Sequence, residues 1–221
     1  MLALPHRGFV LLSTPKCGST ALEEALSRHA LVVFRGSPAY KHLKVQDFDD
    51  LVAPTLAALG HPRSSYEVVC LFREPLDWLA SWWRYRARPE IKRNRELARN
   101  FTGEQSFEEF GRTLLAGPVH GIHDQARVAT RRDDRALAVD RIFRYEDREV
   151  WQDWISARLP GGLELPQANV SVRREAGSLS DETRAGLLAR QRRDVDVYAH
   201  LTDTGEWAPP KGYVPGARPG A

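Results

Sequence analysis

Cysteine is scarce in this chain: its 221 residues hold two, Cys17 and Cys70, far apart in sequence. Two separated thiols exclude a disulfide framework and any cysteine-based metal set, and they point to a reducing compartment. An excess of charge is also missing. Lys and Arg number 32 against 29 Asp and Glu, for a formal charge of +3. That balance is too even for a protein that coats nucleic acid, although a local basic cluster can still serve an anionic ligand. No apolar run is long enough to span a membrane, and Met1 to Arg7 lacks the apolar core of a signal peptide. The expected location is therefore cytoplasmic. No repeat or biased segment precedes a Pro/Gly-rich tail, Pro209 to Ala221. The expected organisation is one domain over 1–208 and a tail over 209–221. With 42% hydrophobic residues, the chain can bury a sizeable core.

The strongest stretch is Ser13-Thr14-Pro15-Lys16-Cys17-Gly18-Ser19-Thr20-Ala21-Leu22. It follows an apolar run, Gly8 to Leu12, and opens a helical pattern over 19–29. Strand, turn and helix start together make a phosphate cradle, because N–H groups at a helix N-terminus carry partial positive charge. Gly18 lets the backbone approach an anion, and Lys16 adds a full charge. The hydroxyls of Ser19 and Thr20 can donate to phosphate oxygens. Cys17 reads as a small loop residue, not a nucleophile. The order is not that of Walker A, in which Lys follows the second Gly.

Leu31 to Phe34 reads as a second strand, and a helix that Pro54 interrupts should follow from Asp47 to Leu59. Tyr66 to Phe72 is the clearest later strand. It ends in Arg73-Glu74-Pro75, and a helix runs on through Tyr85. Strand alternating with helix predicts an α/β domain: a central parallel sheet flanked by helices, P-loop-like in carrying the cradle after its first strand. In such sheets ligands sit beyond the carboxyl ends of the strands. Lys16, His42 and Arg73 each fall just past a predicted strand end. Arg73 offers a planar fork of donors to a phosphate, and Ser81, two helical turns into the next helix, adds a hydroxyl. Trp78, Ala80 and Trp82 read as core.

Lys-x-Gly-Ser-Thr after the first strand resembles the 5′-phosphosulfate loop of the sulfotransferases that use 3′-phosphoadenosine 5′-phosphosulfate (PAPS). Arg73 at a strand end, followed by Pro75 and Ser81, resembles their 3′-phosphate motif. Asp140 to Asp147, Asn169-Val170-Ser171-Val172-Arg173 and Asp194 to Tyr198 are similar to later segments of the same family. The likeness is to its bacterial, carbohydrate-type branch. It implies direct sulfuryl transfer from PAPS to an acceptor hydroxyl, a saccharide by branch, with 3′,5′-adenosine bisphosphate (PAP) as product and no metal. It implies that Lys16, Cys17, Gly18, Ser19, Thr20, Ala21, Arg73 and Ser81 hold the nucleotide, with Asn169, Ser171 and Arg173 as late contacts.

The acceptor hydroxyl needs a base. His42 is the first choice, since neutral imidazole accepts a proton near physiological pH. His120 and His123 are rivals for that role, and His42, Lys44, His120, His123 and Arg88 are the candidate acceptor contacts. A basic run, Arg84, Arg86, Arg88, Lys92, Arg93, Arg95 and Arg99, is either a solvated face or a flap over an anionic acceptor. Two other classes compete. A P-loop kinase or NTPase could use Ala136 to Asp140 as its Mg²⁺-holding strand end. A nucleic-acid-binding module could use the basic run with Trp83 and Tyr85, but it leaves Lys16, Arg73 and Ser81 without a role. Oligomeric state is not legible.

Overall fold

The structure, a computed structural model, describes residues 1–166 and 176–217. Six strands form one sheet: β1 (Leu2–Leu4), β2 (Phe9–Leu12), β3 (Val32–Val33), β4 (Glu67–Phe72), β5 (Arg141–Arg144) and β6 (Glu206–Trp207), in the order β3-β1-β2-β4-β5-β6. The helices are α1 (Ser19–Leu26), α2 (Pro38–Lys41), α3 (Val45–Asp47), α4 (Ala53–Ala58), α5 (Pro75–Arg86), α6 (Pro89–Arg93), α7 (Phe107–Ala116), α8 (Arg148–Ser156), α9 (Asp181–Arg190) and α10 (Arg192–Ala199).

The α/β expectation holds, but the sheet is mixed rather than parallel. Only β2, β4 and β5 run parallel, with Leu12 opposite Cys70 and Cys70 opposite Ile142. β1 pairs antiparallel with β2 because only Pro5 to Gly8 joins them, and so short a link permits only a hairpin. Gly8 turns that corner at φ +80°. β3 and β6 add antiparallel edges of two residues each.

The central strands are buried on both faces, as parallel strands must be. Phe9, Leu11, Val69, Leu71 and Phe143 face one core with Leu22, Trp78, Trp83, Phe110 and Trp151. Their neighbours Val10, Leu12, Val68, Phe72 and Ile142 face a second core with Phe48, Leu56 and Val197. This is the period of two expected of a strand. Each fully buried Leu or Phe contributes about 1.5–3 kcal/mol, so the pattern fixes the register.

The helix expected from Asp47 to Leu59 is continuous from α3 through α4, and ahead of Pro54 its winding changes without a break. A π-helical turn, Phe48–Val52, precedes α4, and the N–H of Ala53 donates to the carbonyl of Phe48. Pro54 has no N–H to continue the ladder. The helix expected over 19–29 is α-helical only to Leu26 and ends in a 3₁₀ turn, Ser27–His29. α5 follows expectation: Pro75 stands in its first turn, and the Glu74 carboxylate accepts from the N–H of Asp77 at 2.6 Å. The tail docks irregularly through residue 217. Tyr213 donates to Asp196 at 2.6 Å, and its carbonyl accepts from the N–H of Leu137 at 2.8 Å. Among the described residues, no helix is long and apolar enough to cross a membrane.

Candidate functional site

β2 ends at Leu12, and the chain turns through Ser13 and Thr14, both buried, into α1. Gly18 caps α1 in the left-handed region at φ +69°. Lys16 adopts φ +65°, a conformation that costs a residue with a Cβ about 1–2 kcal/mol. Two left-handed residues bracket Cys17 and turn the backbone sharply into α1. Among the described residues, no acceptor meets the N–H of Lys16 or of Gly18. Backbone donors without an acceptor are what an anion can use. Ser19, Thr20 and Ala21 form the first turn of α1, and the Thr20 hydroxyl already accepts from Lys41 at 3.2 Å.

The Lys16 ammonium lies over two aromatic faces of α5, 4.1 Å from the Tyr85 ring centroid and 5.6 Å from that of Trp82. Among the described residues it has no carboxylate partner within ion-pair distance. Burial, then the nearby Arg88, Arg73 and Arg84 guanidinium groups, pull its pKa down from 10.5 to about 7. Trp78 and Ala80 are core as expected, whereas Trp82 is half-buried: it packs against that core, and the Lys16 ammonium lies over its ring.

Arg73 leaves β4 and meets the cradle directly. Its guanidinium donates to the carbonyl of Lys16 at 3.0 Å and to Asp77 through Nε at 2.7 Å, and it stands 5.0 Å over the Tyr145 ring. The other Asp77 oxygen accepts from Arg84 at 3.0 Å. One carboxylate thus aligns two guanidinium groups and leaves their net charge at +1. Asp77, Ser81 and Arg84 recur at helical spacing along α5, so they share one face, and Arg88 follows just beyond the helix as the N-cap of α6. The Ser81 hydroxyl is half-buried and has no hydrogen-bond partner among the described residues. The two predicted anchors therefore stand side by side, tied further by the Trp78 indole donating to the Pro15 carbonyl at 2.8 Å.

His42 follows α2 and reaches the same turn. Its Nδ1–H donates to the carbonyl of Ser13 at 2.6 Å. A carbonyl only accepts, so this bond fixes the tautomer and leaves Nε2 as the basic nitrogen. Burial lowers the pKa of His42, against the opposing pull of the Ser13 hydrogen bond and with help from the nearby cations Lys41 and Lys16, and so favours the neutral ring. His120 and His123 are placed differently. Both are exposed, and the His120 carbonyl accepts from Arg86. His123 has its pKa lowered by burial and by Arg127, and lies near Lys44. Lys44 caps α3, its ammonium discharged more readily by burial and Arg127. Arg88 stands 5.4 Å over the same Tyr85 ring as Lys16, while Lys92, Arg93, Arg95 and Arg99 are exposed.

Burial pushes the Cys17 thiol well above its ordinary value, which suits a packing residue and not a nucleophile. Asn169, Ser171 and Arg173 lie outside the described residues. Asp140, the candidate Mg²⁺ ligand of a kinase, sits just before β5, at the N-terminal end of the parallel strands and opposite the end that carries the cradle. There it accepts from the N–H of Val68 and from Arg63, both at 2.6 Å. Among the described residues, no group of His, Cys, Asp and Glu is arranged to hold a metal ion. Sequence reasoning passed over Asp77 and placed Arg84 only in the basic run; their joint role beside Arg73 is legible in principle from their spacing to it. Tyr145, packed against Gly18, and Gln125, bound to the backbone of Arg73, are also passed over. Comparison with known proteins found no matching family model, no matching curated protein and no matching solved structure.

Proposed function

We propose that this protein is a P-loop-like sulfotransferase that moves a sulfuryl group from PAPS to an acceptor hydroxyl by direct in-line transfer. The reading rests on one observation above all: the Arg73 guanidinium donates to the carbonyl of Lys16, so two phosphate-binding motifs far apart in sequence share one turn. A cradle with unspent N–H donors and an ammonium lacking a carboxylate partner suits a 5′-phosphosulfate. The Arg73 and Arg84 pair, aligned by Asp77 beside Ser81, suits a 3′-phosphate, which ATP lacks.

In this reaction the acceptor oxygen attacks sulfur while the bond from sulfur to the phosphate oxygen breaks. Negative charge grows on that leaving oxygen, and Lys16 is the group to neutralise it. The acceptor proton passes to Nε2 of His42, whose other nitrogen is occupied by Ser13. No nucleophile of the chain is consumed, in keeping with a buried Cys17. The saccharide acceptor follows from the resemblance, with Lys44, His120, His123 and Arg88 as its contacts. A cytoplasmic location follows from composition. The placement of Asp140 at the N-terminal end of the parallel strands, away from the cradle, argues against a kinase.

The test is transfer of radiolabelled sulfate from PAPS across a panel of glycans and small alcohols, with Lys16→Ala as the control. Thermal shift with PAP and with Mg-ATP accompanies it. Stabilisation by PAP without Mg²⁺, and label transfer that Lys16→Ala abolishes, are expected. Stabilisation by Mg-ATP alone, or binding of nucleic acid with a steep salt slope and no response to PAP, overturns the reading.

A further inference from the structure

Gln125 belongs to neither phosphate motif. It lies in a 3₁₀ turn, Gln125–Val128, and is 1% exposed. Its carboxamide meets the backbone of Arg73 on both sides. The N–H of Arg73 donates to Oε1 at 3.0 Å, and Nε2 donates to the carbonyl of Arg73 at 2.8 Å. The same Oε1 accepts from the Cys17 thiol at 3.7 Å. One side chain therefore joins the strand end that carries Arg73 to the turn that carries Lys16.

Gln125 is itself held. Its N–H donates to Oδ2 of Asp194 at 2.8 Å, and the N–H of Ala126 donates to Oδ1 at 2.9 Å. The Gln191 amide adds a longer bond to Oδ2 at 3.5 Å. Asp194 is fully buried. A carboxamide and a carboxylate in a core are costly unless every lone pair is used, and apolar side chains would fill the same space more cheaply. What polar groups add is direction: each bond fixes one backbone atom against another. Here the atoms fixed are those of Arg73, the cradle and α10.

We propose that Gln125, braced by Asp194, is a positioning residue that sets the separation between the two phosphate anchors. This rests on the nucleotide reading of the site given above. Two phosphates on one ligand bind as a unit only if their sites are held at the ligand's own spacing; a site that drifts forfeits that gain. Each anchor binds its own phosphate through local groups. Loosening Gln125 should therefore weaken the joint grip and leave each separate grip alone.

Calorimetry on the full chain with three probes, adenosine 3′,5′-bisphosphate, adenosine 5′-monophosphate and adenosine 3′-monophosphate, tests this. Gln125→Met keeps length and bulk and removes both hydrogen bonds to Arg73. It should weaken the bisphosphate about tenfold or more while each monophosphate changes less than about twofold. Gln125→Glu retains the acceptor for Arg73 N–H and should fall between. Asp194→Asn should shift the same ratio, and it carries the comparison with Gln125→Glu if Gln125→Met does not fold. An equal loss for all three probes, or an unchanged ratio with only a lower Tm, is what a purely structural role would give and overturns the proposal. Absence of any preference for the bisphosphate in the wild-type chain overturns the nucleotide reading instead.

Discussion

Binding of a bisphosphate nucleotide should draw protons from solution, and Lys16 should be the group that takes them. In the free chain its ammonium has no carboxylate partner among the described residues and lies among three guanidinium groups, which with burial bring its pKa to about 7. At pH 8 such an amine is about one-tenth protonated, and at pH 6 about nine-tenths. A phosphate dianion in the cradle favours the charged form and returns the pKa toward 10.5. Uptake should therefore be about 0.9 proton at pH 8 and about 0.1 from this group at pH 6. Affinity should fall about tenfold per pH unit above 7 until the bound-state value is approached. The same depressed pKa means that the free fold carries a penalty below pH 7, relieved as pH rises from 7 toward 10.5. The unfolded chain binds the proton in that window and the folded one does not. Titration calorimetry in buffers of differing ionisation heat counts the protons directly. Lys16→Arg keeps its charge at every pH and should abolish both the uptake and the slope, while binding at pH 9 improves on wild type. Zero uptake by the wild-type chain at pH 8 refutes the assignment of this amine to the ligand.

The other expectations concern the neighbours of that amine. His42→Gln should lower kcat for sulfate transfer about 10²- to 10⁴-fold and leave bisphosphate affinity within about twofold, since the proposed role of the ring is toward the acceptor and not the phosphates; an equal fall in affinity would refute the base role. Gly18→Ala should destabilise the fold by about 1–2 kcal/mol in thermal denaturation, because φ is +69° and the new methyl would stand 3.3 Å from the Tyr145 ring. A Tm unchanged by that substitution would refute the strain at the cap. Neither cysteine should react with a thiol reagent in the native state. Burial pushes Cys17 well above its ordinary range and Cys70 up to about 12, so both should react only as the chain unfolds.

The parts of this molecule legible in its sequence are those written in local, periodic terms. β2, β4 and α5 are announced by apolar runs with Gly or Pro at their ends, and the cradle between β2 and α1 by the order Lys-x-Gly-Ser-Thr. β1 and β6 were not legible, because three apolar residues, or two, carry no periodicity and become strands only by pairing with β2 and β5. Trp82 shows the same limit at the site. Its spacing from Trp78 marks it as core, and only the folded turn shows that a cation lies over its face. Arg73 and Ser81 could be read as one motif eight residues long, yet Asp77 between them, which aligns Arg73 with Arg84, looks from sequence like any helix-start acid. Gln125 and Asp194 are the extreme case. They lie 69 residues apart, and nothing near either announces a partner. A buried polar pair is specified by what its hydrogen bonds must reach, and that set exists only once β4, the cradle and α10 have met. The residues proposed to bind an anion could thus be found by their own chemistry. Those that hold such residues in register are defined by the fold and become visible only with it.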